Sequence, residues 1–223
     1  MAQVQRLNYG TVKLAGKYNP PNFVDTRIPV FGYLIQLEAL TILVDTGVGS
    51  GHPYVEKVFE PDLIDVTAAL AELDLSPIDL DCVVNSHLHF DHCGANQAFR
   101  GLPHYVQAAE IEEAASDNYT IKEWISWDDL VPVAGDLELS EEVSLLSTPG
   151  HTPGHQSILI DEGESKLLIA AQAAFSLDEF VRGGDPEVQA HEGIEEKYVA
   201  SLDRLKAIDA DRIYLSHDVR EYA

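Results

Sequence analysis

Positive charge is scarce in this chain: fourteen Lys and Arg stand against thirty-eight Asp and Glu, a formal charge of −24 over 223 residues. Such a surface repels a phosphate backbone and an anionic bilayer at long range, which argues against nucleic acid and membrane as partners. Cysteine is scarcer still. Cys82 and Cys93 are too few for a disulfide framework and form no Cys-x-x-Cys pair of the redox or zinc-ribbon kind, so both are read as free thiols. No apolar run approaches the ~20 residues that span a bilayer. Met1 to Lys13 scatter apolar residues among Gln, Arg, Asn and Lys, unlike the uninterrupted apolar core of a secretory signal. These absences lead us to expect a cytoplasmic protein with a solvated acidic surface.

Hydrophobic residues make up 45% of the chain, enough to bury a sizeable core, and the length suits one domain over residues 1–223. Phe31 to Leu37 and Thr41 to Asp45 read as the strands of a hairpin that ends at Gly47. After Pro61, Asp62 is expected to cap a helix carrying Leu63, Val66, Leu70 and Leu73 at helical spacing, broken by Ser76 and Pro77. A short buried strand, Asp81 to Asn85, precedes a histidine cluster. A helical turn at Ala95 to Phe99, a strand at His104 to Gln107 and a helix at Ala108 to Ala115 follow. Asp117 to Leu130 has no clean period and is assigned no element. Val143 to Thr148, Gln156 to Ile160 and Lys166 to Ala170 are further strands, and Ile194 to Ile208 is a helix with Tyr198, Leu202 and Leu205 on one side. A last strand, Arg212 to Ser216, delivers His217. Runs of strands with few helices between them predict an α+β fold of packed sheets with helices outside.

His87, His89, Asp91 and His92 place four potential ligands within six residues, directly after a buried strand. In extended chain His87 and His89 point the same way, and a turn swings Asp91 and His92 toward a neighbouring point. Burying three imidazoles and a carboxylate without partners is costly, so the pattern points to metal. Imidazole and carboxylate donors suit zinc, with Mn, Fe or Co as alternatives, and the lack of thiolates favours an open catalytic site over a closed structural one. Thr148 to His155 forms a loop stiffened by Pro149 and Pro153, able to hold one imidazole rigidly; only one of His151 and His155 need be a ligand. Trp124, Trp127, Phe175 and Phe180 read either as the wall of an apolar substrate pocket or as ordinary core.

The Asp45-Thr46-Gly47 turn, the His87 to His92 cluster, His151 in Thr-Pro-Gly-His, and His217 resemble the metallo-β-lactamase superfamily in order and spacing, over nearly the whole chain. Ser86 to Gly94, Thr148 to Ser157 and Ser216 to Asp218 resemble in finer detail the N-acyl-homoserine lactonases, the quorum-quenching hydrolases of that superfamily. The resemblance implies an αβ/βα four-layer sandwich, one metal on His87, His89 and His151, and a second on Asp91, His92 and His217. It implies that Asp45 and His155 support the site without being ligands.

Two positions depart from that pattern. Gln172 stands where two-metal members carry a bridging Asp; either the second ion is weakened or the amide oxygen still ligates. Phe175 stands where the lactonases carry a Tyr, and it cannot donate a hydrogen bond to a carbonyl. The expected function is metal-dependent opening of a lactone or related ester, a small-molecule substrate, by a metal-bound water with Asp91 as proton shuttle. A nuclease is disfavoured by the charge and an antibiotic hydrolase by the expected lack of a signal segment. A glutathione-thioester hydrolase is disfavoured by the expectation that no extra domain follows Ala223. The alternative is a degenerate metal-binding relative with a non-hydrolytic biosynthetic, sensor or effector role.

Overall fold

The computed structural model describes residues 2–14 and 27–220, so Met1 and Ala223, the ends assigned to the domain, lie outside the described residues. One sheet holds seven strands: β1 (Gln3–Lys13), β2 (Arg27–Gln36), β3 (Thr41–Val44), β4 (Asp62–Leu63), β5 (Cys82–Val84), β6 (His104–Gln107) and β7 (Leu130–Val133), in the order β4-β1-β2-β3-β5-β6-β7. The other holds five: β8 (Leu137–Glu138), β9 (Val143–Ser147), β10 (Gln156–Asp161), β11 (Lys166–Ala171) and β12 (Arg212–Leu215), in the order β12-β11-β10-β9-β8. The helices are α1 (Pro53–Phe59), α2 (Val66–Ala71), α3 (Ala108–Ala114), α4 (Leu177–Arg182), α5 (Pro186–Gln189) and α6 (Glu195–Lys206).

Strand alternation builds the layers. On β2 and β3, Tyr33, Ile35, Ile42 and Val44 turn inward to meet Leu145, Ile158, Leu167 and Ile169 of the facing sheet. The intervening Leu34 and Leu43 turn outward onto Val55 and Phe59 of α1 and Val66 and Leu70 of α2. In the second sheet Leu168 and Ala170 turn away from the sheet interface onto Tyr198, Leu202 and Leu205 of α6. Both faces of the central strands are covered, which is why they read as unbroken apolar runs instead of alternating ones. The order is helix, sheet, sheet, helix: the αβ/βα sandwich that the resemblance implies.

The expected cap at Asp62 is corrected. Asp62 and Leu63 pair with Thr11 and Gly10 of β1. Asp65 caps α2, its carboxylate accepting from the Thr67 and Ala68 amides at 2.8 and 3.3 Å. Pairing at an open sheet edge outcompeted the helical turn that Leu63 suggested. The unassigned Asp117 to Leu130 stretch holds two single 3-10 turns, Lys122–Trp124 and Trp127–Asp129. Among the described residues no helix is long and apolar enough to cross a membrane.

Candidate metal centre

Parallel pairing brings the functional segments to one edge. β3 and β5 run parallel, so Asp45 and the segment after Val84 emerge side by side, joined by the Asp45 amide donating to the Val84 carbonyl at 2.9 Å. β11 and β12 are likewise parallel, so Gln172 and His217 leave their sheet together. A register shift after Ile169 and a positive φ of 52° at Ala171 re-aim the chain just before Gln172. The two sheets are tied at this edge by the Gln156 amide donating to the Ser86 carbonyl (2.9 Å) and the Phe31 amide donating to the Ser216 carbonyl (3.0 Å).

The turn expected after His89 is present: the His92 and Cys93 amides donate to the His89 carbonyl at 3.0 and 3.1 Å. Its far end is pinned where the Gly94 amide donates to the Gly47 carbonyl at 2.8 Å. A Cβ on Gly94 would lie 2.0 Å from the Gly49 nitrogen and 2.5 Å from the Phe90 carbonyl oxygen, both rigid backbone. Gly94→Ala is therefore expected to destabilise the protein by about 1–3 kcal/mol in a urea titration. A variant as stable as the parent would show that this contact does not hold the histidine segment.

Two triads of ligand atoms result: His87, His89 and His151, and Asp91, His92 and His217, the atoms of each lying within 4.8 Å of one another. In the first, His89 Nδ1 sits 3.0 Å from His87 Nε2 and 3.1 Å from His151 Nε2. In the second, Asp91 Oδ2 is 3.8 Å from His92 Nε2 and 3.6 Å from His217 Nε2. His217 Nε2 is buried and has no hydrogen-bond partner.

The outer nitrogens are held by hydrogen bonds that fix each ring. His92 Nδ1 donates to Asp45 Oδ2 at 2.8 Å, His217 Nδ1 to the Pro29 carbonyl at 2.8 Å, and His151 Nδ1 to the Gln189 carbonyl at 3.3 Å. His87 Nδ1 faces Ser86 Oγ at 3.1 Å, and that hydroxyl donates to Asp45 Oδ2 at 2.7 Å. Asp45 can serve Ser86 and His92 together because it sits at φ 58°, a left-handed conformation that Asp tolerates better than most residues. Each of these four rings turns its Nε2 to the centre, the arrangement that metal-ligating histidines show.

Electrostatics agree. Burial, reinforced by the neighbouring imidazoles, holds His87 and His151 well below the ordinary histidine pKa. Burial brings His89 and His217 down to about 4 and His155 to about 3. These rings are neutral near pH 7, as ligation requires. Burial disfavours the His92 cation too, but Asp91 and Asp45 outweigh it and raise the pKa. Burial would push the Asp91 carboxyl up, yet His92, His217 and His89 hold it below its usual value. Neutral lone pairs crowded at about hydrogen-bond distance, with one carboxylate among them, fit a divalent cation: an N/O donor set of the zinc type.

Gln172 is buried with Oε1 2.9 Å from His92 Nε2, so the amide presents its oxygen to the second triad. Asp91 is the only carboxylate in either triad. His155 lies outside both, its Nδ1 2.9 Å from Thr148 Oγ1 and its ring 5.6 Å from that of His87. Phe175 stacks on His217 at 5.3 Å. Trp124 packs edge-on to His52 at 5.9 Å and partly fills the core over α1 and α2. Of the other two aromatic pocket candidates, one lies in the core and one at the surface. Phe180 is only 2% exposed, enclosed by Ala173, Ala174 and the α6 side chains, because α4 turns it into the outer core. Trp127 stands at the surface and donates its indole N–H to the Lys122 carbonyl of its own loop.

Three supporting residues escape a reading of the sequence: Ser86, Tyr119 and Glu110. Glu110 is fully buried, and its carboxylate accepts from the Leu88 amide, Thr152 Oγ1, the Gly154 amide and the Tyr119 hydroxyl. The one available signal is its i,i+4 relation to buried Ala114, masked by the acidic neighbours Glu112 and Glu113.

Comparison with known proteins matches the same architecture. The metallo-beta-lactamase superfamily profile matches residues 25–217. The N-acyl homoserine lactonase of Bacillus cereus is 33% identical over 212 residues, covering 87% of this chain and 83% of that protein. The N-acyl homoserine lactonase AttM of Agrobacterium fabrum is 34% identical over 196 residues, covering 73% and 71%. The crystal structure of an N-acyl homoserine lactone hydrolase with N-hexanoyl-L-homoserine at its catalytic metal centre superimposes with a TM-score of 0.82 at 30% identity, covering 97% of this chain and 93% of that one. With the profile spanning most of its length and curated relatives at this identity, the chain belongs to the metallo-beta-lactamase superfamily and, within it, to the family of the N-acyl homoserine lactonases.

Proposed function

We propose that this protein is a metal-dependent hydrolase that opens the ring of a lactone of the N-acyl-homoserine type. The observation that carries the proposal is the convergence of two ligand triads from three chain segments on one edge of the sandwich, with Asp91 among them. His87, His89 and His151 would hold one divalent ion, zinc in the first instance, and Asp91, His92, His217 and the Gln172 oxygen a weaker second. When bound, such ions polarise a carbonyl oxygen and lower the pKa of a bound water toward neutrality.

The protein's own residues supply orientation and proton handling. Asp91 is 8% exposed and ionised, with its Oδ2 between His92 and His217, so it is placed to take a proton from the attacking water and return it to the departing alkoxide. Asp45 and Ser86 keep His92 and His87 in the tautomers that face the centre. Phe175, stacked on His217, offers the substrate an apolar surface and no donor, so an oxyanion must be met elsewhere. Asp45 and His155 act behind the ligands. The buried free thiols of Cys82 and Cys93 accord with a reducing compartment and thus with action in the cytoplasm.

The test is proton release from a panel of acyl-homoserine and simple lactones, with protein loaded with zinc, manganese or cobalt. Metal-dependent ring opening of at least one acyl-homoserine lactone is expected. Loaded protein that is inert across the panel would overturn the proposal and favour a non-hydrolytic role, for which Gln172 and Phe175 are the motive.

A further inference from the structure

Glu110 is a buried carboxylate outside both triads, yet it is bound to the segments that carry one of them. Oε1 accepts from the Leu88 amide at 2.8 Å and from the Tyr119 hydroxyl; Oε2 accepts from Thr152 Oγ1 at 2.6 Å and the Gly154 amide at 3.2 Å. Leu88 lies between His87 and His89, and Thr152 follows His151. Tyr119 places its ring 4.8 Å from that of His89. The approach is close on the loop side too: a Cβ on Gly154 would lie 2.2 Å from the Glu110 nitrogen and 2.4 Å from its Cβ. Only a residue without a side chain lets the two backbones meet at this distance.

We infer that Glu110 is a positioning residue for the three-histidine site, its carboxylate fastening the His87–His89 segment to the loop that presents His151. The inference rests on the proposed metal site. All four bonds use the carboxylate as acceptor, and neither segment is otherwise given a charged partner at these atoms. An isosteric amide cannot reproduce this. It turns one oxygen into a donor that faces a backbone N–H, of Leu88 on one side or Gly154 on the other; the neighbouring hydroxyl can turn round and accept, but the amide cannot, so that segment must move away. A shift of one imidazole relative to the other two changes the geometry offered to the ion, whereas a purely structural Glu110 would change only the stability of the protein.

The experiment compares the parent with Glu110→Gln, Tyr119→Phe and Thr152→Val. Cobalt(II) is titrated against a competing chelator, with its visible spectrum recorded at the first equivalent and the melting temperature of each metal-free protein measured. Glu110→Gln is expected to weaken the first equivalent by about 10–100-fold and to alter the visible bands, with Tyr119→Phe and Thr152→Val giving smaller losses of the same sign. Should Glu110→Gln fail to fold, the other two variants decide the matter by the same two readouts. Variants that fold and bind cobalt with the parent's affinity and spectrum overturn the inference, whatever their melting temperatures. A parent protein that binds no cobalt is a different failure: it sinks the metal site itself, and this inference with it.

Discussion

Gln172→Asp is expected to raise the zinc retained per chain from about one to about two and to increase the rate of lactone opening. The reasoning is electrostatic. Two divalent ions ~4 Å apart repel by on the order of 15 kcal/mol even at an effective dielectric constant of ~20. Asp91 is the only anion among the six triad residues, so the protein neutralises little of that charge. A carboxylate with oxygens ~2.1 Å from the ions returns a comparable amount, which a neutral amide cannot. Gln172 already faces the second triad, its Oε1 2.9 Å from His92 Nε2, and aspartate, one methylene shorter, puts at this position the charge that the two-metal pattern carries. The second equivalent of zinc should tighten by at least about 100-fold, read by elemental analysis after dialysis and by competition titration. An unchanged stoichiometry would mean that the amide oxygen already serves as a full ligand, and the electrostatic account of this position would be wrong.

Asp91→Asn should cost about 10²–10⁴-fold in kcat at saturating metal, with a smaller change in KM. The side chain has two tasks. It gives the second triad its charge, and it is the ionised group within reach of both His92 and His217. Its low pKa follows from those neighbours overcoming burial, and asparagine keeps the shape while losing both the charge and the ability to accept a proton. Raising the metal concentration should therefore restore occupancy without restoring rate. Recovery of the parental rate under excess zinc would show that Asp91 is a ligand only, and that the proton moves by another route.

The site was legible in the sequence where its signal is local. His87 to His92 compress four donors into one turn after an apolar strand, and no packing argument accounts for that density; the Thr-Pro-Gly-His loop is similarly self-contained. The central strands were legible because, covered on both faces, they are continuous apolar runs. What escaped depends on distant partners. β1 carries Gln3, Gln5, Arg6 and Asn8, and it is a strand because β2 pairs with it over nearly its whole length. Asp62 resembled a helix cap until the edge of that same strand claimed it. Phe180 and Glu110 were unreadable for opposite reasons: an aromatic residue near the site turned into the outer core, and an acidic residue in an acidic helix turned into the centre. Neither direction is set by composition, only by which helix face meets the sheet.

The central claim is that His87, His89 and His151 grip a divalent cation. Anomalous diffraction at the zinc edge, from crystals equilibrated with zinc, tests it most directly. A strong peak enclosed by these three imidazoles is predicted, with a weaker one beside Asp91, His92 and His217; a map with no peak between the three histidines would contradict the account at its root.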